Sequence, residues 1–294
     1  MLLKGKISVF DFVKTIKLDI TAITAFSIII GFISTRNYFS SLVIPLGLIA
    51  IIGTAISLLL AFRTGQSYDR WWEARTVWGA IVNDSRTLLR QLQEFLPDDY
   101  AADIRLFVER QIIWNYALSE SLRGQGFSPR VQDFIAKHKV KGFNIPNGII
   151  SLHGKHLKKM RQAGAVSDYH MVQIDETLSR LCDSMGRCER IKSTVFPVSY
   201  GTLIHFLIYL FALLLPFGID DEYPYIKTAL TAGLPIIFIF IEQTAILMQD
   251  PFENGPMDTP MTTISTHIEI ALLQQLGDEV EKPKPVDPDA YYIL

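Results

Sequence analysis

The residues able to do chemistry in this chain are few, and their spacing does not suit catalysis. Six histidines stand at positions 138, 153, 156, 170, 205 and 267. None sits in a His-Glu-x-x-His frame, the spacing that puts two zinc ligands and a general base on one helix face. His153 and His156 share a helix face at i, i+3, but no carboxylate or third ligand flanks them, and they read as surface histidines. Cys182 and Cys188 lie six apart and so point to different sides of a helix. That spacing is wrong for zinc, and they read as reduced packing residues. No Gly-rich loop has the spacing that cradles phosphates. Two titratable groups, His205 and Glu242, fall inside apolar runs instead. A carboxylate within a membrane span is a functional candidate by default. Glu242 lies eight residues before Asp250, however, and also fits a membrane boundary. His205 fits either an interhelical hydrogen bond or the lining of a polar crevice. Hydrolytic, metal and phosphoryl-transfer motifs are all missing, so the reading is a non-enzyme with no cofactor.

Composition says where to look next. Of 294 residues, 49% are hydrophobic and 20% charged, less charge than a water-soluble domain of this size carries. The 28 basic and 30 acidic residues nearly cancel, for a net charge of −2. That argues against a nucleic-acid partner, whose footprint is a basic excess. It argues equally against disorder, which needs low hydrophobicity and high net charge. Two cysteines cannot build a disulfide-rich scaffold.

The apolar residues are clustered. Uncharged stretches cover residues 20–35, 41–62 and 201–219, and a fourth covers 228–241 and continues through Glu242 to Met248. About 20 mainly apolar residues cross a bilayer as a helix. The second and third runs meet that length. The first needs Lys17 and Arg36 at the interfaces, and the fourth needs Glu242 to be tolerated. The expectation is four transmembrane helices. Residues 63–200 hold 20 of the 28 basic residues, and Lys4, Lys6, Lys14 and Lys17 precede the first run. Lys and Arg favour the cytoplasmic side, so both termini and the long middle segment are expected there. The two short links face outward, the second of them the acidic IDDEYPY. No cleavable signal peptide is visible: Ile7, Phe10, Val13 and Ile16 form a broken pattern. That pattern fits a helix at the membrane surface or a cytosolic lead-in helix.

The middle segment reads as helix throughout. The second apolar run flows without a strong breaker through Gly65 and Gly79 towards Pro97, as one long helix or two stacked ones. Further helices are predicted over 99–121, 129–138 and 147–163, and one capped by Ser167 or Asp168 runs to 192 with Met171, Ile174, Leu178 and Leu181 on one face. The tail KPKPVDPDAYYIL is Pro-rich and reads as extended. The resulting division is 1–62 for the N-terminal segment and first two spans, 63–200 for a cytoplasmic helical domain, 201–248 for the last two spans, and 249–294 for a cytoplasmic C-terminal segment.

The stretch FRTGQSYDRWWEARTVWG, Phe62 to Gly79, carries the strongest signal. It resembles the bestrophin family of ion channels, in the short form found in bacteria. The likeness continues at Cys188-Glu189-Arg190-Ile191 with Pro197, and at Asp250-Pro251-Phe252 after the fourth apolar run. Each anchor alone is weak; together, in this order and with this span layout, they are specific.

The resemblance implies an all-α homopentamer in the cell (inner or plasma) membrane, passing small monovalent ions through a central pore lined by the second span. It places a narrow hydrophobic neck at Thr54, Leu58 and Phe62, which share a helix face at i, i+4 and i+8. The alternative is that this face only packs against neighbouring spans. Thr54 stands where family members often have an aliphatic residue, which would make the outer neck wetter. A second, cytoplasmic constriction maps to Val172, sixteen residues before Cys188. A valine on an amphipathic helix is ordinarily core, so that assignment depends on the resemblance alone. Eukaryotic members follow Asp-Pro-Phe with consecutive acids that bind calcium. Here Glu253-Asn254-Gly255-Pro256-Met257-Asp258 replaces them. Asp250, Glu253 and Asp258 are weak metal candidates, and no high-affinity calcium activation is expected. The ion's sign stays open, since residues 63–200 carry 20 basic against 15 acidic residues and 249–294 carry two against nine. Outside channels, the alternative is a membrane-anchored sensor or scaffold whose helical domain binds a partner. A secondary transporter ranks last, because no internal repeat is visible.

Overall fold

The computed structural model describes residues 13–34, 43–194, 196–220 and 222–281, with Ser34 described by its backbone alone. The expected lead-in pattern at Ile7 and Phe10, the charge at Arg36 and the Pro-rich tail lie outside the described residues. Among the described residues there is no strand, and the fold is all-α. The helices are α1 (Lys17–Ser34), α2 (Leu46–Phe95), α3 (Ala101–Leu122), α4 (Pro129–His138), α5 (Ile145–Gln162), α6 (Asp168–Ser193), α7 (Val198–Leu214), α8 (Pro224–Gln249) and α9 (Met261–Gln275). Two compact units divide the chain, with boundaries after Arg70, after Thr194 and after Asp250.

The first unit is built from α1, the start of α2, α7 and α8. Among the described residues three helices are long and apolar enough to cross a membrane: α2, α7 with the 3-10 turn that follows it, and α8. α1 has 18 residues, about 27 Å at a rise of ~1.5 Å each. It packs along α8, where Gly31 lets the helices approach, because a Cβ there would collide with the Thr228 hydroxyl. The core of this unit is aliphatic, with Ile23, Ile49, Ile56, Leu60, Ile204, Ile208 and Ile239 buried. Pro235 sits inside α8, yet the helix runs on to Gln249.

The second unit takes the rest of α2, then α3–α6 and α9. α2 is one uninterrupted helix of 50 residues; Gly65 and Gly79 do not break it. Its later half buries Ala74, Val77, Trp78, Ile81, Leu88, Leu89 and Leu92, the three-and-four spacing of one helix face. Phe107, Ile112, Trp114 and Leu118 of α3, Ile174, Leu178 and Leu181 of α6, and Met261, Ile268 and Leu272 of α9 complete the same core. The caps follow sequence rules: Ser167 accepts from the His170 N–H and Asn144 from the Asn147 N–H. α9 packs on α3 and carries Glu269, which takes both Arg130 Nη atoms at 2.8 and 3.0 Å. One expectation needs correction.

His153 and His156 are not surface residues. His153 is fully buried and stacked near Phe107. His156 binds Asp103 at 2.8 Å, a carboxylate brought from another helix and so invisible to local spacing. Arg110 is buried beside them, its Nη1 3.3 Å from His153 Nδ1. Burial draws the Arg110 guanidinium down to about 10 and pushes the Cys188 thiol up to about 12, so that cysteine packs as a small apolar group.

Burial, with Arg110 beside it, holds the His153 imidazole well below the ordinary histidine range. Unfolding therefore frees a group that takes up a proton, and stability falls as pH drops below about 6.5. Thermal unfolding should show the wild type losing more stability between about pH 7 and 5 than His153→Gln does. Parallel pH profiles would show that His153 is not the group responsible.

Candidate functional site

α2 presents two different faces in the first unit. One buries Ile49, Ile56, Leu60, Arg63 and Ser67. The other exposes Thr54, Leu58 and Phe62, with Leu58 at 68% and Phe62 at 57%. The stripe singled out from sequence is therefore largely exposed within the chain. Thr54 Oγ1 donates to the Ala50 carbonyl at 2.8 Å, so its hydrogen is spent within the helix. What remains is a methyl group and an acceptor, a drier surface than a free hydroxyl. The Phe62 ring meets Tyr200 edge-on at 5.9 Å, and the Tyr200 hydroxyl donates to the Leu59 carbonyl at 3.1 Å. The first turn of α7 thus positions the aromatic end of the stripe.

Directly after Phe62 comes the polar centre of the unit. Arg63 is 6% exposed and its Nη1 donates to Glu242 Oε1 at 2.9 Å. The other oxygen, Glu242 Oε2, meets His205 Nδ1 at 2.9 Å. His205 Nε2 lies 4.0 Å from Asp19 Oδ1, and the Tyr209 hydroxyl donates to that same oxygen at 2.7 Å. One network thus joins α1 through Asp19, α2 through Arg63, α7 through His205 and Tyr209, and α8 through Glu242. The guanidinium lies over the Phe196 ring at 5.4 Å and against Gly201, where a Cβ would stand 3.3 Å from both terminal nitrogens. An imidazole facing two carboxylates donates to both only when doubly protonated. At the end of the unit Arg70 Nε donates to the Gln249 carbonyl at 2.8 Å.

Sequence reasoning left Glu242 between a membrane boundary and a buried role; it is buried and paired. His205 makes the interhelical bond expected of it. Arg63 was missed as a partner. The available signal was charge pairing, because Arg63 and Glu242 are single charges beside or within uncharged runs, and buried charges require opposites.

The remaining candidates do not converge on one centre. Val172 stands in the first turns of α6, 67% exposed rather than in the core. Asp250 pairs with Arg70 at 3.6 Å, and Glu253 pairs with Lys192. Asp258 is buried and accepts the Gly255 N–H at 2.9 Å, so it closes its own loop, and burial pushes its carboxyl up. Among the described residues no three His, Cys, Asp or Glu side chains gather to hold a metal ion. Phe252 buries its ring in the core of the second unit. Trp71 Nε1 donates to the Met257 carbonyl at 2.7 Å, while Trp72 is exposed. The residues that carried the resemblance thus fix local structure.

Helices of membrane-spanning length, bound by a buried charge network, define an all-helical membrane protein. A model of the bacterial and fungal bestrophin proteins matches residues 4–274, and the chain belongs to the bestrophin family. The voltage-dependent anion channel-forming protein YneE of Escherichia coli K12 is 32% identical over 249 residues, 83% of this chain and 81% of that protein. The voltage-dependent anion channel-forming protein RSc3414 of Ralstonia nicotianae is 30% identical over 235 residues, 78% and 76% of the two chains. The crystal structure of a bacterial bestrophin homologue from Klebsiella pneumoniae superposes with a TM-score of 0.83 at 27% identity, covering 90% of this chain and all of that one. The relatives carry channel names and not enzyme names.

Removing one member of a buried ion pair strands the other and costs about 3–5 kcal/mol, whereas replacing both with apolar groups can be neutral. Glu242→Leu should therefore lower the melting temperature of the detergent-solubilised protein more than the double variant Arg63→Met/Glu242→Leu does. A double variant no more stable than the single one would remove the pair from its structural role.

Proposed function

We propose that the chain is one subunit of a homopentameric channel that conducts small monovalent ions passively, anions foremost, across the cell membrane. The carrying observation is the exposed stripe Thr54, Leu58 and Phe62 on a helix whose opposite face is anchored by a buried ion pair. Five copies of α2 around an axis would stack these side chains into rings. A narrow apolar ring cannot replace an ion's hydration shell, so it passes ions only when it widens or wets. Phe62, braced by Tyr200, forms the firmest ring. Thr54, with its donor spent on Ala50, adds little wetting. Val172, exposed on α6, forms the second aperture.

In this reading α1 and the apolar parts of α2, α7 and α8 are the four spans. Both termini and the helical segment 63–200 are cytoplasmic, followed by the C-terminal segment 249–294. The names of the relatives support anions, and so does the excess of basic residues, 20 against 15, in 63–200. The positive-inside bias alone would give the same excess, so ion sign is what the first experiment must measure. The carboxylates of Asp250, Glu253 and Asp258 each serve a neighbour, which supports a channel that needs no calcium.

The test is reversal potential in planar bilayers, with purified protein and a potassium chloride gradient. The expected shift is towards the chloride equilibrium potential, and a shift towards potassium would assign cations. Leu58→Ala and Phe62→Ala should raise conductance several-fold by widening the neck. Thr54→Val should change it least. Unchanged currents in all three would remove the neck assignment; no current in any form would favour a membrane-anchored sensor. Open probability should not respond to micromolar calcium or its chelation, and a response would restore the carboxylates as ligands.

A further inference from the structure

Two depressions on the first unit meet at Phe206, which lines both. One is an apolar groove of about 430 Å³ between α1 and α7, lined by Ala22, Phe26, Leu210 and Leu213 among others. The other, about 540 Å³, lies at the start of α7 and is lined by Arg63, Pro197, Thr202, His205, Glu242 and Gln249. Sharing Phe206, they follow one another along α7, charged at one end and apolar along the rest. From Pro197 to Leu213 they run about 24 Å, close to a headgroup plus the ~15 Å hydrocarbon depth of one leaflet.

Each end has its own chemistry. The polar end brings the Arg63 guanidinium and the half-exposed His205 ring to the first turn of α7, whose N-cap Pro197 makes no side-chain capping bond. Helix N-termini and guanidinium groups both favour phosphate oxygens. The apolar end is lined by side chains with nothing to donate except the Tyr209 hydroxyl, which is already committed to Asp19. A helix of a second copy would fill the groove but leave the polar end, where Arg63 and His205 share Glu242, uncovered. An amphiphile with a phosphate at one end of an acyl chain matches both ends.

We propose that this pair of depressions binds one glycerophospholipid, its phosphate at the Arg63–His205 end and an acyl chain along Phe206, Leu210 and Leu213. On the topology proposed above, this is an inner-leaflet lipid. The bound lipid covers the opening to the Arg63–Glu242–His205 network and so sits directly behind the helix that carries Phe62. The inference rests on the membrane placement of this unit and not on conduction.

The experiment measures lipid binding to the delipidated full-length protein in detergent by native mass spectrometry. Phosphatidylglycerol, phosphatidylethanolamine and a galactosyl diacylglycerol that lacks phosphate are titrated in turn. The expected result is one phospholipid per chain, with the galactolipid bound about tenfold more weakly. Leu210→Trp, which fills the groove, and Thr202→Trp, which narrows the polar end, should each weaken phospholipid binding about tenfold. A phospholipid with a photoreactive mid-chain group, applied to the wild type, should label α1 and α7 peptides. Equal binding of all lipids, unaffected variants, or labelling spread evenly over the spans would overturn the proposal. Loss of the oligomer in Leu210→Trp with lipid binding intact would assign the groove to a neighbouring copy. Currents are not read, so failure here and failure of the channel reading are separate results.

Discussion

A guanidinium and a carboxylate taken out of water inside an aliphatic bundle constrain everything near them. Neither ion is tolerated alone, because desolvation costs more than an isolated charge recovers. Arg63 and Glu242 lie 179 residues apart in sequence and meet at 2.9 Å. That contact fixes the axial register of α2 against α8. It also fixes the rotation of α2, since Arg63 must face inward. Phe62, one residue earlier and about 100° around the helix, is turned out with Leu58 and Thr54. The exposed stripe follows from the buried pair.

The same contact recruits its neighbours. Once Glu242 accepts from Arg63, its second oxygen needs a donor, and His205 supplies one from α7. His205 in turn lies beside Asp19 on α1, whose carboxylate the Tyr209 hydroxyl also satisfies. Gly201 keeps the first turn of α7 close enough to touch the guanidinium. Van der Waals packing alone specifies rotation weakly among helices that are apolar all round, and here the polar chain supplies that specificity. In the second unit, patterned burial along α2, α3, α6 and α9 does the same work, and ion pairs such as Arg130–Glu269 sit at its edge.

How much of this could be read from the sequence depended on the range of the interaction. The all-helical class, the later boundary of α4 and the Ser167 cap followed from local spacing and capping chemistry. Contacts across long stretches of chain were not legible. His153 and His156 read as surface residues because Asp103, Phe107 and Arg110 reach them from another helix. α9 was missed because its apolar face is narrow and interleaved with Thr, Ser and His. A valine on an amphipathic helix is ordinarily core, but Val172 lies one residue off the face set by Met171, Ile174, Leu178 and Leu181, and its side is left open. Nor did the sequence show that the Thr54 hydroxyl donates to the Ala50 carbonyl of its own helix.

The order in which the chain is made matters for the second unit. Its core needs Trp78 and Phe107 from early in the sequence and Ile268 and Leu272 from near the end, with α7 and α8 between them in the chain. While the ribosome is still making those apolar helices, α3 is already synthesised but lacks the partner that covers it. For the time needed to add about 150 residues, from Leu122 to Gln275, at ~5–20 per second, an apolar face intended for the interior is open to chaperones, proteases and sister chains. A nascent chain that stops before Met261 has made its apolar helices but cannot close this core. Quality control can therefore recognise a truncated chain by a surface that the residues from Met261 onward would cover.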